Sequence, residues 1–169
     1  GLPADLPGTV IVQHMPAVFT KTYAGLLNKM FPFEVKEAED GDKILPGRVL
    51  IAPGDFHMEI YRSGGYYYVK LHQGPPLHGV RPAADYLMNS VAHYAGTNAI
   101  GIVLTGMGKD GAQGLVEMKK AGSFNIAQDE ESCVVFGMPK VAIEYGAIDK
   151  TMPLDNIASE ILRQINSKA

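Results

Sequence analysis

The chain alternates between short continuous apolar runs and longer stretches in which apolar residues recur at helical spacing. Residues 9–13, 48–52 and 99–104 are runs rich in β-branched residues, which is typical of strands buried on both faces of a parallel sheet. Residues 33–36 and 124–127 are predicted to be two further strands. The sequence therefore predicts at least five strands suited to parallel pairing.

Helical stretches separate these predicted strands. They predict helices over residues 19–30, 83–95, 112–121 and 139–145, and a last helix with Asp155 as its N-cap. Residues 58–62 and 66–71 flank a Ser-Gly-Gly turn and predict a β-hairpin. This alternation predicts an α/β fold: a mainly parallel, doubly wound sheet with helices on both faces and one antiparallel hairpin.

Composition narrows the class of protein. With 46% apolar and 20% charged residues, the 169-residue chain is predicted to fold as a globular protein with a single domain. A net charge of −3 and the lack of a basic cluster argue against a nucleic-acid partner. No apolar stretch has the length of a membrane span, so no membrane insertion is expected. The single cysteine, Cys133, fits a reducing compartment, and a cytoplasmic location is predicted.

Two polar residues follow predicted parallel strands. His14 comes directly after residues 9–13, and Asp110 lies in the glycine-rich loop after residues 99–104. Since ligands bind at the carboxyl ends of parallel strands, both are expected at one edge of the sheet. A histidine oriented by a carboxylate can shuttle a proton, so the two make two thirds of a hydrolytic triad. The other histidines lack metal-ligand spacing, and no metal or cofactor is predicted.

The same loop permits a second interpretation. Residues 106–111 fit the pattern G-x-G-x-x-G between a strand and a helix, and Asp129 follows the next predicted strand. That is the arrangement of a Rossmann-like dinucleotide-binding domain, in which the acid reaches a ribose hydroxyl. Asp110 would place a negative charge beside the pyrophosphate, which disfavours this use. Spacing alone leaves the hydrolase and the dinucleotide interpretations level.

Five ordered segments carry a specific resemblance. They are Val12-Gln13-His14-Met15-Pro16, Val35-Lys36-Glu37-Ala38-Glu39-Asp40-Gly41, Ile51-Ala52-Pro53-Gly54-Asp55, Leu104-Thr105-Gly106-Met107-Gly108-Lys109-Asp110-Gly111 and Ser132-Cys133-Val134-Val135-Phe136-Gly137-Met138-Pro139. The chain resembles the catalytic domain of the CheB family, the chemotaxis protein-glutamate methylesterases. The resemblance implies hydrolysis of glutamate methyl esters on the cytoplasmic helices of chemoreceptors, with glutamine deamidation in some members. It also implies that His14 is the triad base, that Asp110 is its partner and that the Met107 backbone N–H is an oxyanion-hole donor.

The nucleophile is where this sequence departs from the family. The family's serine lies in a Gly-x-Ser-Thr-Gly-Gly turn upstream of the Gln-His-Met-Pro segment, and no serine of this chain has that context. Residues 1–169 are therefore expected to be one methylesterase catalytic domain that lacks its first strand and nucleophile turn. Such a chain is expected to be inactive without that segment. Cys133 and Ser132 are weak substitutes, because a thiol in an apolar run is usually inert.

Two further expectations concern partners. A receiver domain often precedes the catalytic domain in this family, which makes it a candidate partner in the full-length protein. Arg81 and the proline-rich loop 74–82 could border a receptor-binding cleft, but an arginine near a helix start is more often an ion-paired surface residue. A non-catalytic family member that only docks on receptors is the remaining alternative.

Overall fold

The structure is a computed structural model that describes residues 1–168. It divides into two compact units. The N-terminal unit comprises Pro3–Leu87, and the C-terminal unit comprises Gly1–Leu2 and the described residues from Met88 onward. The prediction that all of these residues form one domain stays a prediction.

The N-terminal unit contains a three-stranded parallel sheet. Its strands are β1 (Thr9–Ile11), β2 (Glu34–Glu37) and β4 (Arg48–Ile51), in the order β1-β4-β2. Helix α1 (Ala17–Met30) connects β1 to β2 as the crossover of a β-α-β unit. The central strand β4 is almost wholly buried, whereas β1 is half-buried because it lies at the sheet edge.

The same unit contains a small antiparallel sheet. Strands β5 (His57–Ser63) and β6 (Tyr66–His72) form the predicted hairpin, and Gly64 and Gly65 turn the chain with φ of 59° and 87°. A two-residue strand, β3 (Lys43–Ile44), pairs with the other side of β6. β3 is too short to show the alternation by which strands are recognised in a sequence.

The C-terminal unit holds the second parallel sheet. Its strands are β7 (Ile100–Val103), β8 (Phe124–Gln128) and β9 (Lys150–Met152), in the order β7-β8-β9. Its helices are α3 (Ala112–Lys120), α4 (Met138–Glu144) and α5 (Leu154–Lys168), and α2 (Ala84–Tyr94) includes the residues where the chain passes between the units. The central strand β8 is buried along nearly its whole length.

The predicted α/β class, with mainly parallel strands and one hairpin, is confirmed. In the described residues the parallel strands form two three-stranded sheets, one in each unit. The N-cap prediction was wrong, because α5 begins at Leu154 and Asp155 lies in its first turn. None of the helices within residues 1–168 combines the length and apolarity needed to cross a membrane.

Candidate active site

His14 lies in the turn that joins β1 to α1. Its side chain is exposed, and the turn is held by a hydrogen bond of 2.8 Å from the Met15 N–H to the Gln13 carbonyl. The start of α1 is fixed by a second bond, of 2.9 Å, from the Phe19 N–H to the Pro16 carbonyl. The predicted base is therefore at the carboxyl end of a parallel strand, open to a substrate.

Gly54 packs directly beneath this turn. A Cβ atom at Gly54 would lie 2.3 Å from the Ala17 nitrogen and 2.6 Å from the Pro16 carbonyl carbon, so no larger residue fits without a backbone shift. The Gly54 N–H donates to the Thr20 hydroxyl at 3.0 Å, and that buried hydroxyl donates to a Glu37 carboxylate oxygen at 2.5 Å. These contacts tie the start of α1 to the ends of β2 and β4.

Asp110 lies in the loop between β7 and α3, in the C-terminal unit. Gly108 and Gly111 on either side of it have φ of 95° and 94°, which a residue with a side chain adopts only with strain. The Asp110 side chain is 3% exposed, whereas Met107 in the same loop is 83% exposed. The loop thus holds its carboxylate inward and presents its methionine outward.

The backbone amide of Met107 is available to a ligand. In the part of the chain that the structure describes, its N–H is bonded to no acceptor. The neighbouring Gly106 is fixed on both sides, since its N–H donates to the Val135 carbonyl at 3.1 Å and its carbonyl accepts from the Met138 N–H at 2.8 Å. An unbonded amide next to a fixed residue has the character of an oxyanion-hole donor.

Two side chains fasten this loop to residues 129–138. The Thr105 hydroxyl donates to the Val135 carbonyl at 3.1 Å and accepts from the Val135 N–H at 2.9 Å. The Gln128 side chain accepts from the Thr105 N–H at 2.8 Å and donates to the Ser132 carbonyl at 2.8 Å. Sequence reasoning missed both residues, because the predicted strands ended before them and neither is a typical catalytic type.

Gly137 allows close contact between the loop that follows β8 and the loop that carries Met107. A Cβ atom there would lie 2.6 Å from the Gly106 carbonyl oxygen and 3.2 Å from the Met107 Cα. Both neighbours are backbone atoms, so they cannot move aside as a side chain can. The position of the Met107 amide therefore depends on a glycine in the neighbouring loop.

The hydroxyls of Ser132 and Ser123 are both engaged in hydrogen bonds to neighbouring groups. Ser132 donates to Asp129 at 2.7 Å and accepts from the Gln128 amide at 3.2 Å and the Leu154 N–H at 3.1 Å. Buried Ser123 donates to Asn125 at 2.8 Å. The others lie on α2, at the end of β5 or on α5, as Ser90, Ser63, Ser159 and Ser167.

Cys133 and Asp129 also have defined surroundings. Cys133 is half-buried, and desolvation by burial raises the pKa of its thiol, which disfavours the thiolate that a nucleophile needs. The carboxylate of Asp129, which the dinucleotide interpretation assigns to a ribose, instead accepts from the Ser132 N–H at 3.0 Å as well as from its hydroxyl. The two hydrogen bonds between Asp129 and Ser132 stabilise the loop that follows β8.

The proline-rich loop 74–82 is ordered by polar contacts within the N-terminal unit. Buried His57 donates through Nε2 to the Pro75 carbonyl at 2.9 Å, because its Nδ1 accepts from the Ala83 N–H at 3.2 Å. His78 bonds the buried carboxylate of Asp85 at 2.7 Å. His57 and His78 therefore make structural hydrogen bonds within this unit.

Arg81 is held by the same unit. Its guanidinium pairs with the Asp55 carboxylate, with nitrogen–oxygen distances of 2.5 and 3.1 Å, and donates to the Gly74 carbonyl at 3.2 Å. The expectation of an ion-paired surface arginine agrees with these contacts.

Comparisons with known proteins show a consistent similarity. The profile of the CheB methylesterase family matches residues 1–161. A protein-glutamate methylesterase/protein-glutamine glutaminase of Bdellovibrio bacteriovorus is 67% identical over 168 residues, which are 99% of this chain and 48% of that protein. A protein of the same description from Syntrophotalea carbinolica is 55% identical over 166 residues, which are 98% of this chain and 47% of that protein. The chain spans about half the length of these curated relatives.

The fold is similar to that of a solved structure as well. The crystal structure of the CheB methylesterase catalytic domain of Thermotoga maritima matches with a TM-score of 0.93 at 42% sequence identity. The match covers 96% of this chain and 86% of that chain.

Proposed function

Since the chain belongs to the CheB methylesterase family, we propose that the protein containing it hydrolyses glutamate methyl esters on a protein substrate and releases methanol. The observation that carries the proposal is the loop between β7 and α3. It combines a buried carboxylate, Asp110, with the unbonded amide of an exposed residue, Met107, on a backbone fixed by neighbouring residues. The resemblance assigns these two groups to the orienting carboxylate and the oxyanion donor.

The proposed reaction proceeds by acyl transfer. A serine hydroxyl attacks the ester carbonyl while His14 accepts its proton, and the Met107 N–H donates to the oxyanion that forms. His14 then gives the proton to the departing methoxy group, which leaves as methanol, and water repeats the sequence to free the glutamate. Asp110 is proposed to orient His14 and to stabilise the imidazolium. No metal or cofactor is needed for these steps.

Deamidation of glutamine fits the same residues. The relatives are described as both methylesterase and glutaminase, and an amide differs from the ester in its leaving group. His14 would protonate the departing nitrogen, so ammonia would replace methanol. We propose this as a second reaction of the same site.

The nucleophile is proposed to come from a segment of the natural protein outside residues 1–169. The hydroxyls of Ser123 and Ser132 are already committed to neighbouring groups, and the thiol pKa of Cys133 is raised. Residues 1–169 are then proposed to form one catalytic domain together with that segment. Cytoplasmic helices of methylated chemoreceptors are the proposed substrate, a receiver domain is a proposed partner, and the cytoplasm is the proposed location.

The test compares two polypeptides. The full natural protein containing this chain should release methanol from a receptor protein that carries glutamate methyl esters, and replacing His14 by glutamine should abolish most of that release. Residues 1–169 expressed alone should release none. Methanol release by residues 1–169 alone would refute the proposed source of the nucleophile. Absence of methanol release by the full protein would refute the proposed esterase activity.

A further inference from the structure

We propose that Gln128 is a positioning residue for catalysis, which holds the Met107 amide in place without touching the substrate. The inference rests on the proposed function, because it assumes that this amide faces the oxyanion. Gln128 is the last residue of β8 and is 1% exposed, so its side chain has no contact with solvent to satisfy it. All of its side-chain hydrogen bonds are with the loops that follow β7 and β8.

Gln128 extends the sheet beyond the point where strand pairing stops. The parallel ladder between β7 and β8 ends at the pair Val103 and Ala127. Two residues after Val103, the Thr105 N–H donates at 2.8 Å to the Gln128 side-chain oxygen instead of to a backbone carbonyl of β8. The side chain thereby takes over the role of a strand partner and sets the direction in which the loop toward Met107 departs.

The nitrogen of the Gln128 side-chain amide holds the loop that follows β8. This nitrogen donates to the Ser132 carbonyl at 2.8 Å and to the Ser132 hydroxyl at 3.2 Å. Val135 lies in the same loop after β8. Its carbonyl accepts from the Thr105 hydroxyl and the Gly106 N–H, and its own N–H donates to the Thr105 hydroxyl. The Gln128 side chain therefore closes a ring of contacts that runs from Thr105 through Ser132 and Val135 back to Thr105, two residues before Met107.

Only a glutamine supplies this combination. The position needs one side chain that accepts from the Thr105 N–H and donates to the Ser132 carbonyl. Because the position is buried, a donor or acceptor left without a partner there destabilises the fold. Glutamate would keep the acceptor and lose the donor, and methionine of similar length would lose both. Comparing Gln128→Glu with Gln128→Met therefore separates the effect of the bond to Thr105 from the effect of the bond to Ser132.

Asn125 provides a matched control on the same strand. Its side-chain nitrogen donates to the Leu115 and Ala147 carbonyls at 2.9 Å each, and its oxygen accepts from the Ser123 hydroxyl at 2.8 Å. None of these partners belongs to the two loops beside Met107. Replacing Asn125 by leucine and Gln128 by methionine thus removes a comparable set of buried bonds, one set away from the loops and one set at them.

The experiment measures kcat and KM separately for ester hydrolysis by the full natural protein at a temperature where all variants are folded. Gln128→Met should lower kcat by about ten- to a hundredfold, because a misplacement of about 1 Å in a catalytic group can cost about a hundredfold in rate. KM should change little. Gln128→Glu should lie between Gln128→Met and the parent, and Asn125→Leu should keep the parent kcat even if its melting temperature falls.

Amide hydrogen exchange gives a readout that needs no activity. The Thr105 and Gly106 amides should exchange faster in Gln128→Met than in Asn125→Leu. The proposal is overturned if the parent is active but Gln128→Met keeps its kcat, or if both variants lose kcat equally. An inactive parent would instead refute the proposed function and remove the catalytic role with it.

Discussion

A methyl group added at Gly137 should displace the loop between β7 and α3, which carries the Met107 amide. In Gly137→Ala the new Cβ would sit 2.6 Å from the Gly106 carbonyl oxygen, about 0.8 Å short of the 3.4 Å at which ordinary contact begins. The obstacle is backbone on both sides, and Gly137 has φ of −109°, so alanine meets no conformational penalty of its own. Overpacking of this kind costs about 1–3 kcal/mol. The melting temperature should fall by about 3–10 °C.

The same displacement should also slow catalysis. A shift of several tenths of an ångström at Gly106 moves the Met107 amide, and a misplacement of about 1 Å in a catalytic group can lower the rate about a hundredfold. For Gly137→Ala in the full natural protein we therefore expect kcat for ester hydrolysis to fall about tenfold or more, with KM nearly unchanged.

Gly25→Ala is the matched control for this substitution. Gly25 lies within α1, and a Cβ there has no neighbour within 4 Å. The same chemical change should raise stability by about 0.5–1 kcal/mol, because alanine favours the helix, and should leave kcat unaltered. A Gly137→Ala protein with the parent kcat would show that the loop tolerates the shift, and the reasoning that links Gly137 to the Met107 amide would fail.

Three further predictions concern single groups. His14→Gln in the full protein should lower kcat by about a thousandfold, while its melting temperature stays nearly that of the parent because the side chain is exposed; substantial remaining activity would exclude His14 as the base. Because Arg163 lowers the pKa of Glu160 from 4.5 to about 2, the ionised carboxylate should stabilise the fold above pH 4.5, and this contribution should be lost as the pH falls toward 2. The difference in melting temperature between the parent and Glu160→Gln should shrink over that range, and a constant difference would contradict it. Since burial raises the pKa of Cys133, alkylation at neutral pH should be slower than that of free cysteine and should accelerate in alkali; rapid alkylation at neutral pH would refute this.

Much of the fold followed from hydrophobic patterning. The runs that became β4 and β8 were recognisable because central strands are buried on both faces. β3 and β9 were not predicted, since strands of two and three residues carry too few positions for a period to appear. Asp155 is a residue type that caps helices, but the Leu154 N–H already bonds the Ser132 hydroxyl, and α5 begins there, two residues before the start that an Asp155 cap predicts.

The candidate site was predictable only in part. His14 and Asp110 could be selected because each follows a strand and has a side chain that carries chemistry. Gln128 and Gly137 could not, because their importance lies in which backbone atoms they meet, and those atoms belong to segments distant in the sequence. Local patterns report the chemistry of a residue, whereas its role as a support depends on the fold.

The half-buried edge strand β1 has a consequence for protein engineering. Within the described residues it pairs with β4 alone, so its other side has no strand partner. Such an edge can accept a segment supplied as a separate polypeptide, in the manner of strand complementation. On the proposed function, a separate peptide that carries a strand and a serine should pair with β1 and restore ester hydrolysis to residues 1–169, which would then form one half of a split enzyme.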